Sequence, residues 1–139
     1  MATTNVAAKP FTLKDVSLLI GPSATNFEFK TSVSSVTFTP SSSPTTWTGL
    51  GGNTFTDVST ATWVVTLEYA QDWDTPNSLS RYLHTTEGQT VDCTFKPKSA
   101  GTPTVTAKVI VTPGSIGGTV NQVATASVTL GVDGKPAIA

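Results

Sequence analysis

Few residues of this chain could do chemistry. His84 is the single histidine and Cys93 the single cysteine. No second histidine, cysteine pair or HExxH spacing accompanies them, so no zinc-type ligand set is expected. A nucleophilic cysteine needs a cationic neighbour to hold its thiolate. Cys93 instead alternates with Val91 and Phe95 on an apolar strand face, the setting of a reduced core thiol, and as the only cysteine it has no internal disulfide partner. Glu68, Asp72, Asp74 and Glu87 surround a strand-to-helix connection. Such a cluster could supply an acid/base pair or a weak calcium site, but its spacing matches no EF-hand, and acids near a helix start are accounted for by the helix dipole. Gly49, Gly51 and Gly52 are followed by no Lys-Ser/Thr pair and open no helix, and no serine sits in a GxSxG elbow, so neither a phosphate loop nor a hydrolase nucleophile is present. The expectation is no catalytic residue, no cofactor, no metal and no enzyme.

The elements that would position any site are mostly strands. Trp63, Val65, Leu67 and Tyr69 alternate with Thr62, Val64, Thr66 and Glu68, a period of two that predicts a central strand. Shorter alternations predict strands through Leu13 to Ile20, through Phe27 and Phe29, through Val36 and Phe38, and from Gln89 to Lys96. The stretch from Thr104 to Thr112 and the stretch from Val120 to Leu130 alternate likewise, separated by Pro113-Gly114 and Gly117-Gly118, and predict a β-hairpin. One helix is expected over about residues 76–87, with Thr75 as cap, Pro76 in the first position, Leu79, Tyr82 and Leu83 sharing a face, and Gly88 at the end. Residues 1–10 lack periodicity and read as an arm. Residues 11–130 read as one domain, residues 131–139 as an extended tail, and residues 40–54, dense in Pro, Gly, Ser and Thr, as a long loop whose Trp47 and Leu50 seek a partner surface, on another subunit or, as a folded-back flap, on its own domain. The fold class is mainly β: a two-sheet β-sandwich or partial barrel with one flanking helix.

Composition narrows the function. Only 12% of the residues are charged and the net charge is -1, which gives no long-range attraction for duplex nucleic acid or anionic lipid. Thr and Ser make up roughly three residues in ten, well above ordinary usage, and suit sheets with a neutral hydroxyl-covered face. No apolar run reaches the length of a membrane span, and residues 1–10 lack the basic start and apolar core of a signal peptide, so synthesis and assembly in the cytoplasm are expected, with no membrane partner. Sheet edges, a loose arm, an apolar-tipped loop and a tail are together the parts of a subunit met by copies of itself.

From the helix onward the residues carry a resemblance. Gln71 and Trp73, Ser78-Leu79, Tyr82-Leu83, Gly88, Phe95, Pro97, Pro113, Ile116-Gly117-Gly118 and Gly134-Lys135-Pro136, in that order, resemble the major tail tube proteins of long-tailed, siphovirus-type bacteriophages, especially those of actinobacteria. The similarity covers roughly residues 57–136. It implies a β-sandwich or partial barrel flanked by a helix, six subunits in a ring whose inner sheets join into one β-barrel, and rings stacked into a virion tail tube through which DNA passes at infection. It also implies a tape measure protein and tail terminator or distal tail proteins as partners. On the family's pattern the 40–54 loop, the arm and the tail bridge neighbouring rings, so Trp47, Leu50, Phe55, Val6, Val132 and Pro136 are the candidate contact residues. A lumen of hydroxyls with a few acids, of which Glu28, Glu68 and Asp92 are the candidates, would let DNA slide rather than grip it.

Two other classes fit the same parts. The inner tube of a contractile injection system shares the fold and the stacking and adds an outer surface for a sheath. A capsid decoration or fibre module with an immunoglobulin-like sandwich would not polymerise into tubes.

Overall fold

The computed structural model describes residues 2–22, 25–98, 101 and 103–139. Its elements in chain order are β1 (Ser17–Ile20), β2 (Phe27–Glu28), β3 (Val33–Ser41), β4 (Pro44–Thr48), β5 (Thr54–Val58), β6 (Thr62–Ala70), α1 (Leu79–Thr85), β7 (Thr90–Lys96), β8 (Val105–Ile110) and β9 (Thr125–Ile138). The strands form two antiparallel sheets, one of seven strands in the order β2-β1-β7-β8-β9-β6-β3 and one of β4 and β5 alone. This is the mainly β architecture with one helix that the alternations predict, and the barrel is not closed.

The seven-stranded sheet curls on itself. Strands β3 and β7 stand four places apart, roughly 19 Å in a flat sheet, yet the rings of Phe38 and Phe95 lie 6.1 Å apart. The bend is built into β9. Its first part pairs with β6, from Ala70↔Thr125 to Val64↔Gly131, and its second part pairs with β8, from Ile110↔Gly131 to Val105↔Ile138. The concave side holds one apolar cluster that includes Leu18, Ile20, Val65, Leu67, Tyr69, Val91, Cys93, Val109, Val128 and Leu130, with Leu79, Tyr82 and Leu83 of α1 packed into it. Rings of Phe27, Phe29 and Tyr82, with centroids 5.6 to 6.2 Å apart, tie β2 to the helix.

Several boundaries differ from the expectations, each for a local reason. Residues 104–130 do not form a simple hairpin. Strand β8 takes its ladder partners from Gly131 onward, and residues 111–124 form an irregular loop between β8 and β9. Residues 131–139 are not a free tail, because β9 continues to Ile138. What reads as a terminating Gly134-Lys135-Pro136 is a bulge: Gly134 adopts a φ of 87°, and the ladder steps from Lys108↔Asp133 to Thr106↔Ala137, which gives proline a place where no ladder N–H is required. Residues 40–54 are not a long loop but the end of β3, all of β4 and the β4–β5 turn. Thr45, Thr46, Thr48, Thr54 and Thr56 supply β-branched strand residues on both sides of Gly49–Asn53.

The helix is shorter than expected. Asn77 takes a left-handed φ of 62°, so the helix starts after Ser78, whose hydroxyl accepts from Arg81 N–H. Thr75 is therefore not the cap; its N–H donates to the Asp72 carboxylate in the preceding turn. The first alternation is also trimmed, with Leu13 exposed and β1 starting at Ser17.

Two outcomes follow from the core. Leu83 has no exposed surface, so Leu83→Ala should lower stability by about 2–5 kcal/mol, read as a shifted midpoint in chemical denaturation. Burial pushes the Cys93 thiol up to about 12, so an aromatic disulfide reagent at neutral pH should leave the native protein unlabelled and titrate one thiol per chain once denaturant is added.

Candidate functional site

Among the described residues no group of three or more His, Cys, Asp or Glu could hold a metal ion. Of the acids flanking α1, Asp72 is absorbed by the turn, its carboxylate accepting from the Asp74 and Thr75 N–H groups. Hydrogen bonds from Thr75, its side chain first and then its backbone, hold Asp72 below the usual carboxylate range. His84 packs edge-on against Trp73 at 6.4 Å. No described helix is long and apolar enough to cross a membrane. What the surface offers instead is apolar and neutral.

The first such feature is the β4–β5 hairpin. Every residue of both strands is exposed, and neither strand packs extensively on another element. Trp47 and Phe55 are cross-strand partners on one face, 61% and 64% exposed, while Thr46 and Thr56 meet through their hydroxyls at 3.4 Å on the other. Leu50 projects from the turn, fully exposed. A two-stranded ribbon without a third layer is marginal in water, so its apolar face calls for a covering surface.

The second is the 111–124 loop, whose Ile116, Val120 and Val123 are exposed. This loop is held firmly. The Gln71 side-chain Nε2 donates to the carbonyls of Gly117 at 2.8 Å and Thr125 at 2.9 Å, and its Oε1 accepts from Gly117 N–H at 3.0 Å and Trp73 Nε1–H at 3.2 Å. All four hydrogen-bonding positions of the amide are thereby used. Gln71 N–H also donates to Ala124 O. Gly114 lies flat on the Tyr69 hydroxyl, where a Cβ would come within 2.0 Å of Oη. This loop is not among the contact segments expected from the sequence. The signal was in the sequence, since no charge occurs between Lys108 and Asp133 although three large apolar side chains fall in the turn region.

A third feature is the open mouth of the partial barrel at the end of β6 nearest the hairpin. There Phe11, Leu13, Phe38, Trp63, Val105 and Ile138 help line an apolar groove of about 330 Å³. The sequence-derived contact residues divide among these places. Trp47, Leu50 and Phe55 come together on the hairpin, and Val6 is exposed on the arm. Val132 is half-buried against the core, and Pro136 is buried at the groove.

The convex face of the sheet is hydroxyl-covered. Thr37, Thr66 and Thr129 form one cross-strand row and Ser35, Glu68 and Ser127 the next, with the Thr66 and Thr129 hydroxyls 3.5 Å apart. The three candidate acids are not equivalent. Glu28 accepts from the Ser17 hydroxyl and from the Leu18 N–H at 2.8 Å, clasping β1 to β2. Asp92 is paired with Lys108 at 3.3 Å. Glu68 makes no ion pair among the described residues and stands in the hydroxyl face, three strand positions from Asp92.

No protein-family model matches the chain, and no curated protein matches it in sequence. Solved structures do. A chain in the cryo-EM structure of the PVC sheath/tube terminator, from an extracellular contractile injection system in the extended state, superposes with a TM-score of 0.67 at 18% identity, covering 96% of this chain and 99% of that one. A chain of the sheath-tube complex of the same system, also extended, gives a TM-score of 0.62 at 18% identity over 94% of this chain and 91% of that one. Over nearly its whole length, this chain has the fold of chains found in the sheath/tube terminator and sheath-tube complex of an extracellular contractile injection system.

Proposed function

We propose that this chain is a structural subunit of a tail tube: copies associate into rings, the rings stack, and the stack encloses a hollow conduit.

 The observation that carries this reading is the β4–β5 hairpin, an apolar-faced ribbon that no layer among the described residues covers. A segment that finds its cover on a different patch of an identical neighbour makes a heterologous contact, and such contacts propagate into rings or filaments. The whole-chain likeness to components of a tube-and-sheath machine supports the same reading at the level of fold. The free edge of β3, nine residues paired on one side only, would be covered when neighbours in a ring join their sheets.

In the fuller form of the proposal the assembly is the tail tube of a long-tailed bacteriophage, with six subunits per ring, a tape measure protein in the lumen, terminator and distal tail proteins at the ends, and DNA as the cargo. Trp47, Leu50, Phe55 and Val6 make the contacts between rings, and the second half of β9, with Val132 and Pro136, braces the groove beside them. The Thr and Ser rows around Glu68 line the lumen, where a neutral, weakly acidic wall leaves phosphates free to move. A second reading is in line with the solved structures: the inner tube of a contractile machine, whose surface away from the lumen would also meet a sheath.

Electron microscopy of the concentrated protein should show hollow tubes with a regular axial repeat. Dispersed monomers at every concentration would point to a decoration or fibre module instead. Replacing residues 43–59 by a short glycine linker should leave the β-rich circular dichroism in place and abolish the tubes. In particles built from Glu68→Lys subunits, tubes should form normally while DNA ejection slows; ejection at the unaltered rate would remove Glu68 from the lumen.

A further inference from the structure

Strand β6 separates the two uncharged apolar features. The hairpin leaves the sheet where Thr62 faces Ser41, and the 111–124 loop enters β9 where Ala70 faces Thr125. These are opposite ends of a nine-residue strand, roughly 27 Å apart. We infer that the 111–124 loop is the docking surface for the β4–β5 hairpin of the next copy, a head-to-tail contact in which Trp47, Leu50 and Phe55 cover Ile116, Val120 and Val123. The inference deepens the tube reading and rests on it.

Three observations carry the pairing. The first is position: a knob at one end and a surface at the other can meet only between two copies, and each copy so joined leaves the same pair of surfaces open for the next. The second is chemistry. No charged residue lies between Lys30 and Asp57, and none lies between Lys108 and Asp133, so the two segments can be buried against each other without stranding an ion. The third is preparation. The loop is exposed, yet the Gln71 amide uses all four of its hydrogen-bonding positions, two on Gly117 of the loop, one on Thr125 where β9 begins and one on Trp73, and the Tyr69 hydroxyl lies against Gly114. A surface ordered before binding loses less conformational entropy when it is covered. Gln71 is thus a positioning residue for the contact. An interface so free of ions should also respond little to ionic strength.

The test uses two full-length chains, Leu50→Cys and Ile116→Cys, both altered at exposed positions. Cys93 is buried and does not compete. Each chain alone, and the two mixed, are brought to conditions where the unsubstituted protein forms tubes, oxidised with copper phenanthroline, and run on non-reducing gels. The mixture should give several-fold more disulfide dimer than either chain alone, and a chain carrying both substitutions should give a ladder of multimers. Tubes without mixed dimers, or as many dimers from Leu50→Cys alone, would overturn this contact and leave the tube reading standing. Failure of the unsubstituted protein to form tubes would overturn both.

Discussion

The double pairing of β9 is the constraint on which the rest of the structure depends. Because one strand gives its first half to β6 and its second half to β8, a single antiparallel sheet is forced to curl, bringing Phe38 of one flank against Phe95 of the other. The concave side then encloses an apolar core that α1 caps with Leu79, Tyr82 and Leu83. The same curl sets a polarity. At one end of β6 stand the helix and the latched 111–124 loop; at the other stand the open groove and the hairpin. A subunit with two unlike ends is suited to stacking, and each end carries one uncharged apolar segment, the hairpin at one and the 111–124 loop at the other.

Much of this is legible in the sequence, and the parts that are not have physical reasons. The alternation of Trp63 to Tyr69 and of Val91 to Phe95 fixes which side chains turn inward, and Val65, Leu67, Tyr69, Val91, Cys93 and Phe95 are indeed buried. Period-two patterns report a strand's faces, however, and not its partner. Nothing in residues 104–130 distinguishes a hairpin from two strands that meet through a later segment, so the pairing of β8 with residues beyond Gly131 was hidden. Gly134 and Pro136 look like the end of a structured chain because the same residue types serve both tails and bulges.

The candidate surfaces show the same division. Trp47 and Leu50 stand out in the sequence as apolar side chains among Pro, Gly, Ser and Thr, and both are exposed. That they ride on a ribbon rather than a loop was masked by Gly49, Gly51 and Gly52, which crowd the turn. Among the acids, sequence alone could not rank Glu28, Glu68 and Asp92. Tertiary structure separates them, because Glu28 is clasped by Ser17 and Leu18 and Asp92 by Lys108, while Glu68 stands among hydroxyls. Gln71 was visible only as one residue of a resemblance; its role depends on a loop more than forty positions away, at Gly117 and Thr125.

The central claim is that the hairpin and the 111–124 loop are covered by each other in neighbouring copies and by nothing in a single one. Amide hydrogen exchange, followed by mass spectrometry on dispersed and assembled protein, measures that directly. The account predicts fast exchange across residues 44–58 in the dispersed subunit, and slowing of both this segment and residues 114–123 on assembly, while β6 and β7 stay protected throughout. A hairpin already protected in the dispersed subunit, or one whose exchange is unchanged in the assembled state, would contradict it.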